Sequence, residues 1–573
     1  MNCLRSRFML ILLVCMAVIP LRAQQTNRAA ADPWWKHAVI YEIYPRSFQD
    51  SNGDGIGDIN GITSRLDYLK DLGVDAIWIT PMYPSPQIDF GYDVSNYEAI
   101  DPQFGTMADF DHLASEAKQR NIRIIMDFVP NHTSDQHPWF VGSRSSRTNP
   151  KRDWYIWRDG KGPGEPPNDW QSWFGHSAWT FDAKTGQWYY HYFYVQQPDL
   201  NWRNPEVRKA MYDVLRFWLD RGASGFRMDA VSRLFEDPDL HDDPILPGTN
   251  AFGDPNIEHK YTQDLPEVHD VLREIRSLVD KYPGDPVLIS EADEPTIQDL
   301  VRVYGINNDE VQLPMDFQVA DVNRLSAPEF RKLLDQIEFN PLKGQPYFFF
   351  NNHDQARTWD RYGDGVHNDQ IAKLMAALLL TTRATPQMYY GEELGMRTTV
   401  PARKEDVKDP VGRTGWPKDK GRDGERTPMQ WNDSQNAGFS SAAKTWLPVP
   451  PTAAQYNVAG EERNPESILN FYKKVIALRR ELSPLTDGCY VAVNRDDQNV
   501  LAYLRQGQDG EESVLVALNM SADERTINFK LKGFGVGGTS ARVLLAAPQL
   551  ANTQVSLDEV KLASYGVLIV AVQ

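Results

Sequence analysis

The feature that most constrains the fold is a series of eight short, β-rich apolar runs, separated mostly by helical patterns. Strands that alternate with helices form right-handed βαβ units and a parallel sheet, and eight of them predict an α/β fold, a closed (β/α)8 TIM barrel. The predicted strands are Val39–Phe48, Val74–Thr80, Ile122–Val129, Gly225–Val231, Val287–Ala292, Val311–Phe317, Tyr347–Asp354 and Pro386–Glu392. In such a barrel, functional residues are expected where the strands end.

Helical patterns and uneven spacing complete the predicted organisation. The long interval between Val129 and Gly225 exceeds one crossover and predicts a small inserted domain, whose aromatic-rich segment is expected to be mostly core with a few residues lining a cleft. The predicted helices are Ile62–Leu72, Met107–Arg120, Pro205–Arg221, Glu267–Lys281, Ala327–Glu338, Asp369–Thr382 and Ser467–Glu481. The predicted domains are a barrel at 24–130 and 201–486, an inserted domain at 131–200 and a C-terminal antiparallel β-sandwich at 487–573.

The N-terminal segment, residues 1–23, has the order of a secretory signal. Arg5 and Arg7 precede the apolar run Phe8–Leu21, and the small residue Ala23 stands at a possible cleavage point. The run is shorter than the roughly 20 residues of a membrane-spanning helix. We therefore expect a cleaved signal, a secreted or periplasmic protein and no membrane span in the mature chain. A lipoprotein signal at Cys15 and an uncleaved anchor are the alternatives.

The net charge restricts the partners. The formal charge of −18 argues against binding to a nucleic-acid backbone or to an anionic membrane. Neutral or cationic small molecules remain open as substrates or ligands.

Three carboxylates stand at predicted strand ends among apolar or aromatic residues, namely Asp229, Glu291 and Asp354. An ionisable group is costly in such surroundings unless it is paired or used. One such carboxylate is more often a loop cap or an ion-pair partner. Three at the same end of a barrel, with Arg227 and His353 each beside one of them, indicate an active site.

Paired carboxylates are suited to glycoside chemistry, in which one attacks the anomeric carbon and the other protonates the leaving oxygen. Arg227 lies two residues before Asp229 and so points to the same side of the strand, where its charge would keep Asp229 ionised. Glu291 has no cation beside it in its own strand, which favours a raised pKa and the acid/base role. Asp127 and His132 end the third strand, where a structural role and substrate contact are both open.

Longer motifs carry a family resemblance that covers residues 34–480. Four segments resemble, in order and spacing, the signature regions of the α-amylase family of retaining glycoside hydrolases: Asp127–His132, Gly225–Val231, Ile289–Asp293 and Phe350–Asp354. Three more resemble motifs of its oligo-1,6-glucosidase and maltase branch: Gln197–Asn201, Arg426–Trp431 and Gly438–Ser440.

The resemblance implies a role for each matching residue. Asp229 would be the nucleophile, Glu291 the acid/base, and Asp354 the carboxylate that stabilises the transition state. The implied substrate-binding residues are Asp89, Tyr92, His132, Arg227, His353 and Arg422. Asp89 and Tyr92 match a pair on the pocket floor, and Arg422 matches an arginine that faces it. A pair of Asp89 and Arg422 across the pocket would block the passage of a chain, which implies action from a non-reducing end.

A second motif runs from Asp50 to Asp58 and reproduces the spacing of a calcium loop. Its expected ligands are Asp50, Asn52, Asp54, the backbone carbonyl of Ile56, and Asp58. The twelfth position is Gly61 instead of Glu, and no helix precedes the loop, so an EF-hand is excluded. Similar α-glucosidases hold calcium here, which implies a structural Ca²⁺; the alternative is a Gly/Asp turn without metal. No organic cofactor is expected.

The resemblance implies an α-glucosidase that hydrolyses short α-glucosides with retention. Ala230 follows the nucleophile, and in the resembling enzymes Ala or Thr here accompanies α-1,4 preference and Val α-1,6 preference, so maltose-type substrates are expected. The alternatives with the same site are an oligo-1,6-glucosidase, a transglucosidase, a trehalose synthase and a sucrose isomerase. The last is disfavoured because Arg357–Gly363 matches poorly the Arg/Asp-rich loop of sucrose-isomerising relatives.

A non-enzymatic alternative is a protein like the membrane-anchored heavy chains of amino-acid transporters. The intact carboxylates and the short apolar run count against it. The sequence does not predict the oligomeric state.

Overall fold

The computed structural model describes residues 32–292, 294–338, 344–508 and 510–573, so the predicted signal at 1–23 lies outside the described residues. Eight parallel strands form the central sheet: β1 (Ile40–Ile43), β2 (Ala76–Ile79), β3 (Arg123–Phe128), β4 (Gly225–Met228), β5 (Val287–Ser290), β6 (Leu313–Pro314), β7 (Tyr347–Phe348) and β8 (Thr385–Tyr389). Their spatial order is β6-β5-β4-β3-β2-β1-β8-β7, and a parallel bridge between Met315 and Tyr347 joins the two outer strands. The predicted TIM barrel is confirmed.

The helices follow the predicted patterns, with one division. The segment predicted as a single helix at Ile62–Leu72 forms two, because the backbone of Arg65, with φ of −108° and ψ of 6°, interrupts the helix. The first helix also begins earlier, because the Asp58 carboxylate accepts the Gly61 amide hydrogen. The α-helices of the described chain are Pro45–Phe48, Ile59–Ser64, Leu66–Leu72, Met107–Gln119, Pro138–Ser145, Pro205–Asp220, Glu267–Val279, Ile297–Val303, Phe317–Ala320, Ala327–Glu338, Thr358–Tyr362, Asn368–Leu380, Pro410–Gly415, Val458–Glu462, Ile468–Glu481 and Ser483–Asp487. Short 3₁₀ turns lie at Trp34–Lys36, Arg152–Trp154, Val231–Arg233, Glu392–Leu394, Lys404–Asp406, Gln435–Gly438, Pro451–Ala454 and Leu531–Phe534.

Three further sheets and a hairpin accompany the barrel in the described chain. Between β3 and β4, an antiparallel sheet contains Trp157–Arg158, Trp179–Asp182 and Gln187–Tyr190. A hairpin of Ile245–Thr249 and Pro255–Ile257, which the sequence analysis did not predict, follows β4. The C-terminal antiparallel strands are Cys489–Ala492, Val500–Gln506, Ser513–Asn519, Ser540–Ala547, Gln554–Ser556 and Val567–Val572 in one sheet and Arg525–Ile527 with Val560–Leu562 in another. Among the described residues, no helix is long and apolar enough to cross a membrane.

The barrel interior changes from apolar to polar along the strands. Its lower part is a buried cluster that includes Ile40, Trp78, Ile125 and Ile289. Because side chains alternate along a strand, the residues two positions further on face the same interior. These positions include Glu42 after Ile40, Asp127 after Ile125, and Glu291 after Ile289. The alternation therefore delivers carboxylates to the C-terminal end of the barrel, where the site is expected.

Candidate active site

A cavity of about 580 Å³ opens at the C-terminal end of the barrel strands. Its lining includes seven residues that the sequence analysis assigned or discussed: Asp89, Tyr92, His132, Asp229, Glu291, Asp354 and Arg422. Aromatic residues of the segment between β3 and β4 also line it, namely Trp173, Phe174, Tyr192 and Phe193. The expectation of a few cleft aromatics in that segment agrees with this lining, and most of the others are buried.

Asp229 stands immediately after β4, where the backbone turns sharply. Its amide donates to the Phe128 carbonyl on β3 at 2.8 Å, which extends the ladder by one residue. Ala230 then adopts the left-handed conformation with φ of 46°, and the 3₁₀ turn Val231–Arg233 begins. The turn leaves the Asp229 carboxylate at the floor of the cavity.

Arg227 holds the two carboxylates that were predicted to react. Its Nη1 lies 2.5 Å from Asp229 Oδ1, and its Nη2 lies 2.8 Å from Glu291 Oε2. Glu291 has no cation in its own strand, but the register places Ile289 opposite Arg227 and brings the guanidinium across from β4. The same guanidinium therefore holds the Asp229 and Glu291 carboxyl groups close to each other.

The two carboxyl groups nevertheless differ in acidity. Burial raises the pKa of Glu291 to about 8, with Asp229 and Asp354 adding to the effect and Arg227 opposing it. Burial also raises the pKa of Asp229, to about 6, and the Arg227 charge limits this rise. At neutral pH, Glu291 is mostly protonated and Asp229 mostly ionised.

Asp354, which follows β7, is surrounded by donors. Arg426 Nη2 and Arg422 Nη1 lie 2.7 Å and 3.0 Å from its Oδ1, and His353 Nε2 lies 3.1 Å from its Oδ2. Burial opposes ionisation, but His353, Arg422 and Arg426 hold the pKa of Asp354 well below its ordinary range. Asp354 is therefore a fixed negative charge beside the ionisable pair.

The inner end of the cavity is closed by an ion pair. Arg422 Nη2 lies 2.7 Å from Asp89 Oδ1, as the resemblance implied. Gln197 donates to Asp89 Oδ2 at 3.2 Å, and His132 Nε2 lies 3.2 Å from the same amide nitrogen. Burial lowers the pKa of His132 to about 3, so the ring is neutral. A chain cannot pass through an end closed in this way.

Tyr92 and His353 form a stacked pair beneath the reacting carboxylates. Their ring centroids are 5.4 Å apart, and Tyr92 Oη lies 2.8 Å from His353 Nε2. Asp127 is fully buried and accepts from Tyr92 Oη and Trp78 Nε1, each at 3.1 Å. Asp127 does not line the cavity, so its contacts fit the structural alternative.

A known protein family matches most of the chain. Residues 42–488 match the family Alpha-amylase, described as "Alpha amylase, catalytic domain". The chain belongs to the alpha-amylase family.

Relatives within the family cover nearly the whole chain. A probable alpha-glucosidase of Rhizobium meliloti (strain 1021) is 42% identical over 89% of this chain and 94% of its own. An oligo-1,6-glucosidase of Parageobacillus thermoglucosidasius is 40% identical over 87% and 92%. The crystal structure of an isomaltulose synthase mutant from Erwinia rhapontici NX5 with sucrose has a TM-score of 0.86 at 37% identity, covering 95% of this chain and 100% of that one. The chain is therefore a glycoside hydrolase of this family.

Several site residues were not assigned by the sequence analysis. Glu42 on β1 is fully buried, and its Oε1 lies 2.7 Å from His353 Nδ1. Asp409 binds Arg422 Nε at 2.9 Å, and Arg426 holds Asp354. Glu42 could have been recognised from the sequence, because it is a carboxylate within the apolar run Ile40–Ile43. No sequence signal pointed to Asp409, because its partner Arg422 lies in a loop of irregular length.

The Asp50–Asp58 loop lies away from the cavity, and its donor set is made of hard oxygen atoms that suit Ca²⁺. Asp50 and Asp58 are buried, and neither forms a salt bridge with a described cation. Asp50 accepts from the Gly53 and Gly55 amides at 2.7 Å and 2.8 Å. The three loop carboxylates do not all converge within 4.8 Å in the described chain, so a metal would also draw on Asn52 and the Ile56 carbonyl. The residues present fit calcium by the chemistry of their donors, although loop amides and hydroxyl groups already donate to Asp50 and Asp58.

Proposed function

We propose that the protein is an exo-acting α-glucosidase that hydrolyses short α-1,4-linked glucosides from the non-reducing end with retention. The observation that carries the proposal is that one guanidinium, that of Arg227, contacts both Asp229 and Glu291 at a cavity whose inner end is closed. Inverting enzymes separate their carboxyl groups by about 6.5–9.5 Å to admit a water, whereas retaining enzymes hold them closer. Two carboxyl groups held by one guanidinium favour retention.

In the first step, the Asp229 carboxylate attacks the anomeric carbon and the glycosidic carbon–oxygen bond breaks. Glu291 donates its proton to the departing oxygen, which leaves as a hydroxyl group. The product is a covalent glucosyl ester of Asp229. The pKa difference between the two groups supports this division of roles.

In the second step, water replaces the leaving group and hydrolyses the ester. Once Asp229 is esterified, its negative charge no longer raises the pKa of Glu291, while Arg227 still lowers it. Glu291 then accepts a proton from the attacking water. Asp354, held ionised by its arginines, stabilises the positive charge that develops on the sugar ring.

Hydrolysis is favoured over sucrose isomerisation by the residues after Asp354. Arg357 is buried and donates to the Tyr390 and Glu425 carbonyls at 2.7 Å each. Arg361 donates to the Phe350 and Ala320 carbonyls. Neither arginine lines the cavity, so neither is available to bind a migrating sugar. Transfer to another sugar remains the second candidate, since solved structures with this fold include an alpha-glucosyl transfer enzyme.

The carboxylate roles are tested with two variants and two substrates. Asp229→Asn should remove nearly all turnover of maltose and of α-glucosyl fluoride, because no glucosyl ester forms. Glu291→Gln should lose maltose turnover but keep some activity on α-glucosyl fluoride, because formation of the ester from fluoride needs no proton and only its hydrolysis loses base assistance. Proton NMR of the first-formed sugar should show the α-anomer. Full activity of either variant on maltose, or a β-anomer, would contradict the proposal.

A further inference from the structure

The cavity has an outer end whose residues take no part in the proposed chemistry. Its inner end is closed by Asp89 and Arg422, so the leaving group must extend toward the mouth. Glu291 Oε2 accepts from the Ala230 amide at 3.4 Å, which places the acid on the side where the 3₁₀ turn begins. That turn carries Arg233 from Ala230 along the cavity wall.

Arg233 is a buried cation that forms no salt bridge with a carboxylate of the described residues. Its side chain is 7% exposed and lines the cavity, yet its Nη1 has no hydrogen-bond partner in the described part of the chain. The guanidinium carbon lies 5.0 Å from the Tyr192 ring centre and 5.6 Å from that of Trp173. A buried guanidinium without a carboxylate costs stability unless a ligand uses its donors.

The surroundings of Arg233 leave its charge uncompensated. Burial and Arg233 lower the pKa of His259 to about 4, so this ring is neutral at neutral pH, and it lies 5.4 Å from Tyr192. Burial and the neighbouring Asp264 raise the pKa of Glu294 to about 8 although Arg233 opposes the rise, so Glu294 offers Arg233 little negative charge at neutral pH. The aromatic rings hold the planar guanidinium in place, and its donors remain for a ligand.

We propose that Arg233 and Trp173 bind the leaving-group sugar of a disaccharide or longer glucoside. Trp173 is 47% exposed at the mouth and offers a face for the apolar side of a sugar ring. Arg233 offers paired N–H donors to two neighbouring hydroxyl groups of that ring. This inference rests on the proposed function, and it makes the enzyme selective for glucosides whose leaving group is itself a sugar.

The test uses substrates with and without that second sugar. Arg233→Met should lower kcat/KM for maltose by about tenfold to a hundredfold, the range for losing hydrogen bonds from a charged group. Turnover of α-glucosyl fluoride, which has no second ring, should stay close to wild type. With α-glucosyl fluoride as donor and glucose as acceptor, the variant should form less disaccharide. Arg233→Lys should recover little, because an ammonium cannot present a planar pair of donors.

A matched control is available in Arg221. Its guanidinium lies 4.9 Å from the Phe217 ring and pairs with Asp111, but it does not line the cavity. Arg221→Met should leave both substrates unaffected. An equal fall on maltose and α-glucosyl fluoride in Arg233→Met, or no fall on maltose, overturns the inference while the wild-type activity stands. If wild-type enzyme turns over neither substrate, the proposed function fails and the inference falls with it.

Discussion

At the scale of single residues, the neighbours of Asp229 and Glu291 determine which carboxyl group is the acid and which is the nucleophile. Arg227 contacts both Asp229 and Glu291, so a nearby cation alone cannot explain why one is acid and the other nucleophile. The difference arises because Glu291 meets the charges of Asp229 and Asp354 in addition to its burial. The sequence assigned the raised pKa to Glu291, and this assignment stands. Its cause is the neighbouring anions together with burial, and not the lack of a cation.

This division predicts a bell-shaped dependence of kcat/KM on pH. Activity on maltose should fall below about pH 6, where Asp229 gains a proton, and above about pH 8, where Glu291 loses one. The two limbs belong to the interacting pair. In Glu291→Gln, assayed with α-glucosyl fluoride, the alkaline limb should disappear and the acidic limb remain. A rate that still rises through pH 8 in the wild type would contradict the acid role of Glu291.

Ala230 predicts the linkage preference. It lines the cavity directly after Asp229, and an α-1,4 acceptor joins through a ring hydroxyl that crowds this wall more than a 1,6 methylene does. Ala230→Val should depress maltose cleavage relative to isomaltose by roughly tenfold to a hundredfold. The ratio of kcat/KM for the two sugars, measured on one preparation, is the readout.

The backbone at Ala230 adds a cost that the sequence did not reveal. Its φ of 46° lies in the left-handed region, where a β-branched side chain is strained by about 1–2 kcal/mol. Ala230→Val should therefore also be less stable, but the fraction folded cancels in the ratio of two substrates. Ala230→Ser, which has no branch at Cβ, serves as the control. A wild type that prefers isomaltose, or an unchanged ratio in the Val variant, would show the linkage assignment to be wrong.

At the scale of elements, the segment after β8 connects the Asp50–Asp58 loop with the active site. Arg426 in this segment binds Asp354, and further along Ser440 donates to Asp50 Oδ2 at 2.5 Å. The Trp446 amide donates to the Gly55 carbonyl at 3.0 Å. Both later motifs of the family resemblance therefore have a structural role: each anchors this segment at one end.

We propose that the Asp50–Asp58 loop binds one structural Ca²⁺, whose removal should lower the melting temperature and leave the rate in the cold largely intact. Binding only to the native state stabilises by about 2.7 kcal/mol at a hundredfold excess over the Kd. Asp54→Asn should abolish the effect of chelator while keeping the bond that Asp54 Oδ1 accepts from the Ile56 amide. A melting temperature unmoved by chelator, with no calcium in elemental analysis, would refute the site.

At the scale of the whole molecule, the barrel and its additions shape a pocket with one opening. The segment between β3 and β4 supplies aromatic walls, and the loop after β8 supplies Arg422 to close the inner end. The hairpin after β4 adds Phe252 to the cavity wall. These parts come from distant stretches of the chain, which explains why their meeting was inferred only from the family resemblance.

The sequence by itself determined the eight barrel strands and the carboxylates at their ends. Both follow from local rules, because apolar runs form the strands and the alternation of side chains places Asp229 and Glu291 at the same rim. The family motifs added the Asp89–Arg422 pair, whose ion pair the structure contains.

Only the tertiary structure decided which ionisable groups contact each other. The register between β4 and β5 places Arg227 against Glu291. The fold likewise places Glu42 against His353 and Asp409 against Arg422. It also leaves Nη1 of Arg233, which lines the cavity, without a hydrogen-bond partner among the described residues. Such contacts depend on strand register and loop paths, which local sequence patterns do not encode, because each joins residues that only the folded barrel brings within hydrogen-bond distance.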